Sequence, residues 1–212
     1  MKFRLFISFF AVVGLGIMGY LTYLHYANAQ SFCDFTKEVS CDVVTTSLYS
    51  EVFGIPVSVL GIGFFLLILA LVFFDKRDEA YKNIVFLTTL MLIPSFYLTF
   101  VEAFAIGAFC VLCETSKGMM VAILIISGIA SKKFAPFPLR QIVPIFIAGV
   151  ISIGIIYFAQ AGGSTKKDYS ELFACANENG VTYYKSIRCS SCRRQEKLFG
   201  VAYPKLNAIE CH

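Results

Sequence analysis

Ala108-Phe-Cys110-Val-Leu-Cys113-Glu-Thr-Ser-Lys117-Gly-Met-Met-Val-Ala-Ile-Leu-Ile-Ile-Ser-Gly-Ile129 opens on two cysteines three residues apart and continues as an apolar run. In a soluble protein a CxxC pair marks a zinc knuckle or a thioredoxin-type redox site. Here the pair stands at the mouth of a segment that, as a helix, reaches across the ~30 Å hydrocarbon core of a bilayer. Few hydrophilic reactants follow a thiol there.

Four more apolar stretches surround this one, giving five at about 5–26, 56–74, 84–105, 109–130 and 141–160. With 58% hydrophobic residues and a mean hydropathy of +0.73, the chain has too little polar surface to cover a soluble globule of 212 residues. Open sheets leave backbone groups unsatisfied in lipid, so the expected fold class is an all-α transmembrane bundle of five helices over residues 1–160. Pro56 is expected at the first position of the second span and Pro94 at a kink in the third. The 22 phenylalanines fit lipid contact and bundle packing.

Basic residues orient the bundle. Lys2 and Arg4 precede the first span, Lys76, Arg77 and Lys82 separate the second and third, and Lys132, Lys133 and Arg140 separate the fourth and fifth. All three clusters fall on one face, which the positive-inside rule makes cytoplasmic. The loop 28–55, with one lysine (Lys37), and the 161–212 tail fall on the other face. Ala27-Asn28-Ala29 resembles a signal-peptidase site, but the stretch before it exceeds a usual signal core. It also carries Tyr20, Tyr23 and Tyr26 like an interfacial belt, so a retained span is expected.

On this topology every cysteine is extracytoplasmic: Cys33 and Cys41 in the first outer loop, Cys110 and Cys113 at span four, and Cys175, Cys189, Cys192 and Cys211 in the tail. That segregation fits an oxidising compartment. The tail sets Cys189-Ser190-Ser191-Cys192 between a strand-like Val181–Ile187 and a helix-like Arg193–Phe199 ended by Gly200. A cysteine at a helix start has its thiolate favoured by the dipole, so Cys189 is read as the nucleophile and Cys192 as the resolving thiol. Arg188, Arg193 and Arg194 push the pair toward a more oxidising disulfide. A zinc site would need more ligands than His25 and His212 offer, and no metal is expected. Cys33 and Cys41 read either as an inert loop staple or as a pair able to exchange with the other two. Cys110 and Cys113 share one helix face, and electrons arriving there need a lipid-soluble acceptor, for which a quinone is the usual bilayer oxidant.

Taken together, Cys33, Cys41, Ser47 six residues later, Phe53-Gly54 and Cys110-x-x-Cys113 resemble the vitamin K epoxide reductase family over about residues 1–160. The tail, with Lys197-Leu198-Phe199-Gly200 after its CxxC, resembles the thioredoxin-like domain fused to bacterial members. The resemblance implies a four-helix core around a quinone of the ubiquinone or menaquinone type, a cap with a short helix after Cys41, and a fifth helix linking to the redox domain. It implies that Cys33 and Cys41 shuttle electrons, that Cys110 exchanges with Cys41, that Cys113 faces the quinone, and that Ser47, near Phe53, hydrogen-bonds a quinone oxygen. The tail departs from the pattern in Arg188, Ser190 and Ser191. With 20 residues after Cys192 it is expected to form an incomplete α/β unit at 161–212, with Cys175 and Cys211 as spare thiols of undecided pairing.

Charged residues inside a span are functional candidates. Lys117, four residues after Cys113, reads as a partner of the Cys113 thiolate or of a reduced-quinone oxygen, or else as a Glu114 ion pair snorkelling to the interface. Glu102 is read as interfacial. The expected activity is a membrane thiol:quinone oxidoreductase that makes protein disulfides, passing electrons from substrate thiols through Cys189/Cys192, Cys33/Cys41 and Cys110/Cys113. Two alternatives remain: a quinone or quinone-epoxide reductase driven by the tail, as in vitamin K recycling, and a non-catalytic membrane protein with structural or metal-binding cysteines. Expected partners are lipid, quinone, and thiol-containing secreted proteins or a separate thioredoxin-like oxidoreductase, with no nucleic acid. The expected location is a bacterial inner membrane.

Overall fold

The structure, a computed structural model, describes residues 2–27, 31–36, 39–75, 79–134, 142–161, 169–186, 192, 195–196 and 199–211. Its long helices are α1 (Lys2–Ala27), α3 (Val57–Phe74), α4 (Ala80–Val101), α5 (Val111–Phe134) and α6 (Ile142–Ala161), with a short α2 (Cys41–Thr45) in the outer loop. Four stretches are long and apolar enough to cross a membrane: Lys2–Ala27, Val57–Phe74, Ala80–Ile106 and Val111–Ser131. The chain is thus a helical bundle of the expected class. α6 covers the fifth apolar stretch, with its apolar centre at Phe146–Phe158.

Helix bounds differ from the hydropathy stretches where polar residues are good helix formers. α4 starts on Ala80-Tyr81-Lys82-Asn83, and α5 runs on through Lys132 and Lys133. Pro56 is the N-cap of α3, one residue outside its expected place, and pairs with Glu51 in a two-residue hairpin of β1 (Glu51–Val52) and β2 (Ile55–Pro56). Pro94 lies inside α4, buried against its neighbours.

α1 packs on α3 and α5, and α4 packs on α5 and α6. Lipid is as apolar as leucine, so such contacts rely on close fit, for which small residues make room. At Gly14 a Cβ would stand 2.2 Å from the ring of Phe65, and at Gly61 one would stand 2.7 Å from the sulfur of Met18. The core between these helices includes Ile7, Ala11, Phe64, Phe65, Ile68, Ile84 and Ile123. Arg4 donates to Val72 O at 3.2 Å and lies 6.0 Å from the Tyr81 ring centre, which puts the start of α1, the end of α3 and the start of α4 at one end of the bundle. The cysteine-bearing loop caps the opposite end.

In the tail, α7 (Ser170–Glu178) precedes β3 (Tyr183–Lys185), which pairs in parallel with β4 (Ala208–Glu210). Phe173 is buried there and meets Phe199 edge-on at 4.9 Å. Arg188, Cys189, Ser190, Ser191, Arg193 and Arg194 lie outside the described residues. Cys192 is disulfide-bonded, whereas Cys175 and Cys211 are exposed free thiols.

Candidate functional site

The cap is fastened by local chemistry. Ser40, in an extended conformation, caps α2 by accepting the Val43 N–H at 3.1 Å, which makes Cys41 the first helical residue. The buried Asp42 accepts the Ser31 N–H at 3.0 Å, and Cys33 is disulfide-bonded to Cys41 with their Cα atoms 5.8 Å apart. Ser40 N donates to Phe109 O at 3.1 Å, within a parallel bridge between Val39 and Phe109. Cys110 directly follows Phe109 in this bridge, and Cys41 comes two residues after Val39. Both are fully buried and pack with Cys33, Leu21, Leu24, Val44 and Ala108 in one cluster, with Cys113 against it.

Between α4 and α5 the chain winds into a π turn, Glu102–Ile106, closed by Gly107 at φ 69°. This left-handed closure suits glycine because it carries no Cβ. It reverses the chain within a few residues and aims Glu102 inward. Glu102 is 4% exposed rather than interfacial, which corrects its sequence reading. Its carboxylate accepts the Cys110 N–H at 3.2 Å. Cys110 then behaves as the N-cap of α5: its carbonyl accepts from Glu114 N at 3.0 Å and its sulfur accepts from Cys113 N at 3.2 Å. Among the described residues Cys110 and Cys113 are free thiols while Cys33–Cys41 is oxidised.

A cavity of about 100 Å³ opens beside this helix start. Its wall takes Cys113 and Lys117 from α5, Glu102 from the π turn, His25 from α1, and Ser47 and Tyr49 from the cap. Cys110 is not part of this wall. Lys117 is 8% exposed, pairs with Glu114 Oε1 at 2.5 Å and also bonds Thr99 Oγ1 on α4. The Glu114 pair anticipated from helical spacing is therefore present, yet Lys117 is turned into the bundle rather than toward the interface. Ser47 is buried and spends its proton on Val44 O at 2.7 Å. Phe53, at φ 53°, is 75% exposed on the hairpin turn and does not line the cavity. His25 Nδ1 donates to Thr45 O at 2.9 Å, and its Nε2 lies 3.3 Å from Glu51 Oε1, so it pins the cap to α1. Among the described residues, no group of three or more His, Cys, Asp or Glu is placed to hold a metal ion.

The family model for the vitamin K epoxide reductase family matches residues 5–128, more than half of the chain. The chain belongs to that family. It is also 24% identical over 225 residues to the thiol-disulfide oxidoreductase LTO1 of Arabidopsis thaliana, in a match that takes in 91% of this chain and 59% of the relative. The chain therefore spans about three-fifths of that relative's length.

Leu21, Val57, Leu98 and Val101 give the cavity an apolar wall that would take a quinone ring, and Ser47 and Lys117 are the polar groups that would have to turn from their present partners to reach its oxygens. The space is small for a substituted ring, but Met18 and Met120 also line it, and methionine side chains yield easily.

Glu102 and His25 are site residues that sequence reading missed. The available signal for Glu102 was its carboxylate eight residues before Cys110 within an apolar stretch, where ionisable groups are costly.

Proposed function

We propose that this chain is an integral membrane thiol:quinone oxidoreductase that generates protein disulfides. The observation that carries the reading is the division of labour at the start of α5. Cys110 is sealed in the cluster with Cys33 and Cys41, while its neighbour Cys113 forms part of the cavity wall. One thiol faces the incoming electrons and the other faces the outgoing ones.

The exchange steps follow from thiol chemistry. Substrate thiols reduce the Cys189–Cys192 disulfide, and the dithiol so formed reduces Cys33–Cys41. The Cys41 thiolate then attacks Cys110 of a Cys110–Cys113 disulfide. A Cys41–Cys110 bond forms and Cys113 leaves as thiolate. Cys33 next attacks Cys41, restoring Cys33–Cys41 and releasing Cys110. The redox state seen here, Cys33–Cys41 oxidised with Cys110 and Cys113 free, corresponds to the end of that exchange. Cys110 and Cys113 then re-form their disulfide, giving up two electrons and two protons.

A bound quinone supplies a lipid-soluble acceptor for two electrons and two protons. Ser47 and Lys117 would hold its oxygens, Ser47 by rotating its hydroxyl away from Val44 O, while Phe53, exposed on the hairpin turn, would not touch it. Lys117 pairs with Glu114 and stands beside Cys113 on the wall. The apolar wall excludes water, so that the thiols meet no competing reductant or oxidant.

In this reading α6 is a fifth span, the N-terminus is cytoplasmic and the cysteines are extracytoplasmic, as in a bacterial inner membrane. Clients are secreted thiol proteins or a thioredoxin-like partner. The test is oxidation of a secreted reporter in a strain lacking its own disulfide machinery. The native chain restores reporter disulfides and Cys110→Ala or Cys113→Ala does not. Restoration by the double alanine variant would overturn the enzyme reading.

A further inference from the structure

We infer that Glu102 is a positioning residue for the thiol exchange: by accepting the Cys110 N–H, its carboxylate sets Cys110 as the cap of α5 and holds its sulfur toward Cys41. The inference rests on the relay proposed above and adds a residue to it.

Glu102 sits where an ionisable side chain is expensive, 4% exposed within the apolar stretch Ala80–Ile106. Three backbone donors converge on it. Gly107 N and Ala108 N donate to its carbonyl at 3.0 and 3.3 Å, and Cys110 N donates to Oε2 at 3.2 Å. Gly107 N closes the π turn itself, while Ala108 N and Cys110 N belong to the connection to α5, where no helix satisfies them.

In a usual capping box, Ser or Thr at the N-cap takes the N–H of the third helical residue, whose Glu returns the favour to the N-cap N–H. Here the redox pair occupies both positions. Cys110 takes the Cys113 N–H through sulfur, but Cys113 has no carboxylate to return. Glu102 delivers the missing acceptor from the preceding turn. Without it the Cys110 N–H is a buried orphan, and the backbone at Cys110 is free to rotate the sulfur off the bridge that joins Phe109 to Ser40. A π turn is rare and often marks a functional site, and this one carries the side chain in question.

The test needs no quinone. In Cys33→Ser/Cys113→Ser, Cys41 and Cys110 are left as the exchanging thiols. Diamide, a dithiol oxidant, takes two electrons and two protons from them to give a Cys41–Cys110 disulfide, scored by mass spectrometry of the linked peptides. Into this background go Glu102→Gln, which keeps an acceptor oxygen at the same reach, and Glu102→Asp, which keeps the carboxyl group but is one carbon shorter. Glu102→Gln is expected to cross-link within about threefold of the parent and Glu102→Asp at least tenfold more slowly. Proton exchange at the Cys110 amide is expected to quicken in Glu102→Asp alone. Equal cross-linking in all three proteins would overturn the inference, as would a Gln variant as slow as the Asp variant. No cross-link in the parent itself would instead sink the relay reading.

Discussion

Replacing Lys117 with methionine separates its structural part from its chemical one. The Lys117 side chain is 10% exposed and that of Glu114 is 38%, with the charged atoms 2.5 Å apart. Breaking a fully buried pair costs about 3–5 kcal/mol and breaking an exposed one about 0–1 kcal/mol. With one partner more than a third exposed, Lys117→Met is expected to lower stability by about 1–2 kcal/mol. Glu114→Gln added to it should recover most of that, because the stranded carboxylate is then gone. If Lys117 also serves an oxygen at the cavity, a further charge-assisted hydrogen bond of roughly 1.5–3 kcal/mol is lost in the acceptor-reducing step, a rate deficit of about 10- to 150-fold. The assay is single-turnover reduction of a short-chain quinone by the reduced protein in micelles, followed by absorbance, beside reversible unfolding of the same samples. The expected result is a rate deficit that survives in the Glu114→Gln double variant even as stability returns. A folded Lys117→Met protein reducing quinone at the native rate would leave Lys117 only a partner of Glu114 and Thr99.

Gly14→Ala puts a methyl group 2.2 Å from the buried Phe65 ring, whereas Gly16→Ala meets nothing within 4 Å. Unfolding in micelles should show a loss of about 1–3 kcal/mol for the first and little change for the second; equal stabilities would refute the α1–α3 packing. His25→Phe removes both polar ties from α1 to the cap, and hydrogen exchange across residues 41–52 should speed up about 5- to 30-fold, matching roughly 1–2 kcal/mol. In the tail, Tyr203 and Glu196 hold the Lys185 ammonium well above its ordinary 10.5, while burial, then Glu196, pushes the Tyr183 hydroxyl above 10.0. Both groups keep protons in the folded tail that the unfolded chain has released, so their contribution is complete below about pH 10 and lost as pH rises above it. Both are largely solvated, so the effect is modest; tyrosine absorbance should show alkaline loosening of the tail that Glu196→Gln reduces.

The bundle was legible because its signals are local. Runs of about 20 apolar residues announce spans, and the spacing of Cys33, Cys41, Cys110 and Cys113 announces the family. What escaped depends on backbone turns that hydropathy does not register. Glu102 reads as interfacial by position, yet the π turn swings it inward onto the Cys110 amide. Phe53 reads as a cavity residue by motif, but the left-handed turn presents it outward. Ser47 lines the cavity, while its proton is committed to Val44 O, a local bond that spacing does not reveal. His25 carried no motif at all, and its role comes from the distant Thr45 and Glu51 folding back to it.

In the proposed relay electrons leave the protein at Cys113 after entering this pair at Cys110. Single-turnover quinone reduction with fully reduced native protein and its Cys113→Ser variant, each then mapped for disulfides, checks that exit. Given one quinone per chain, the native protein should reduce it and carry one new disulfide, at Cys110–Cys113 or passed back from it to Cys33–Cys41, while the variant reduces none. A Cys113→Ser protein that reduces quinone at the native rate would contradict it.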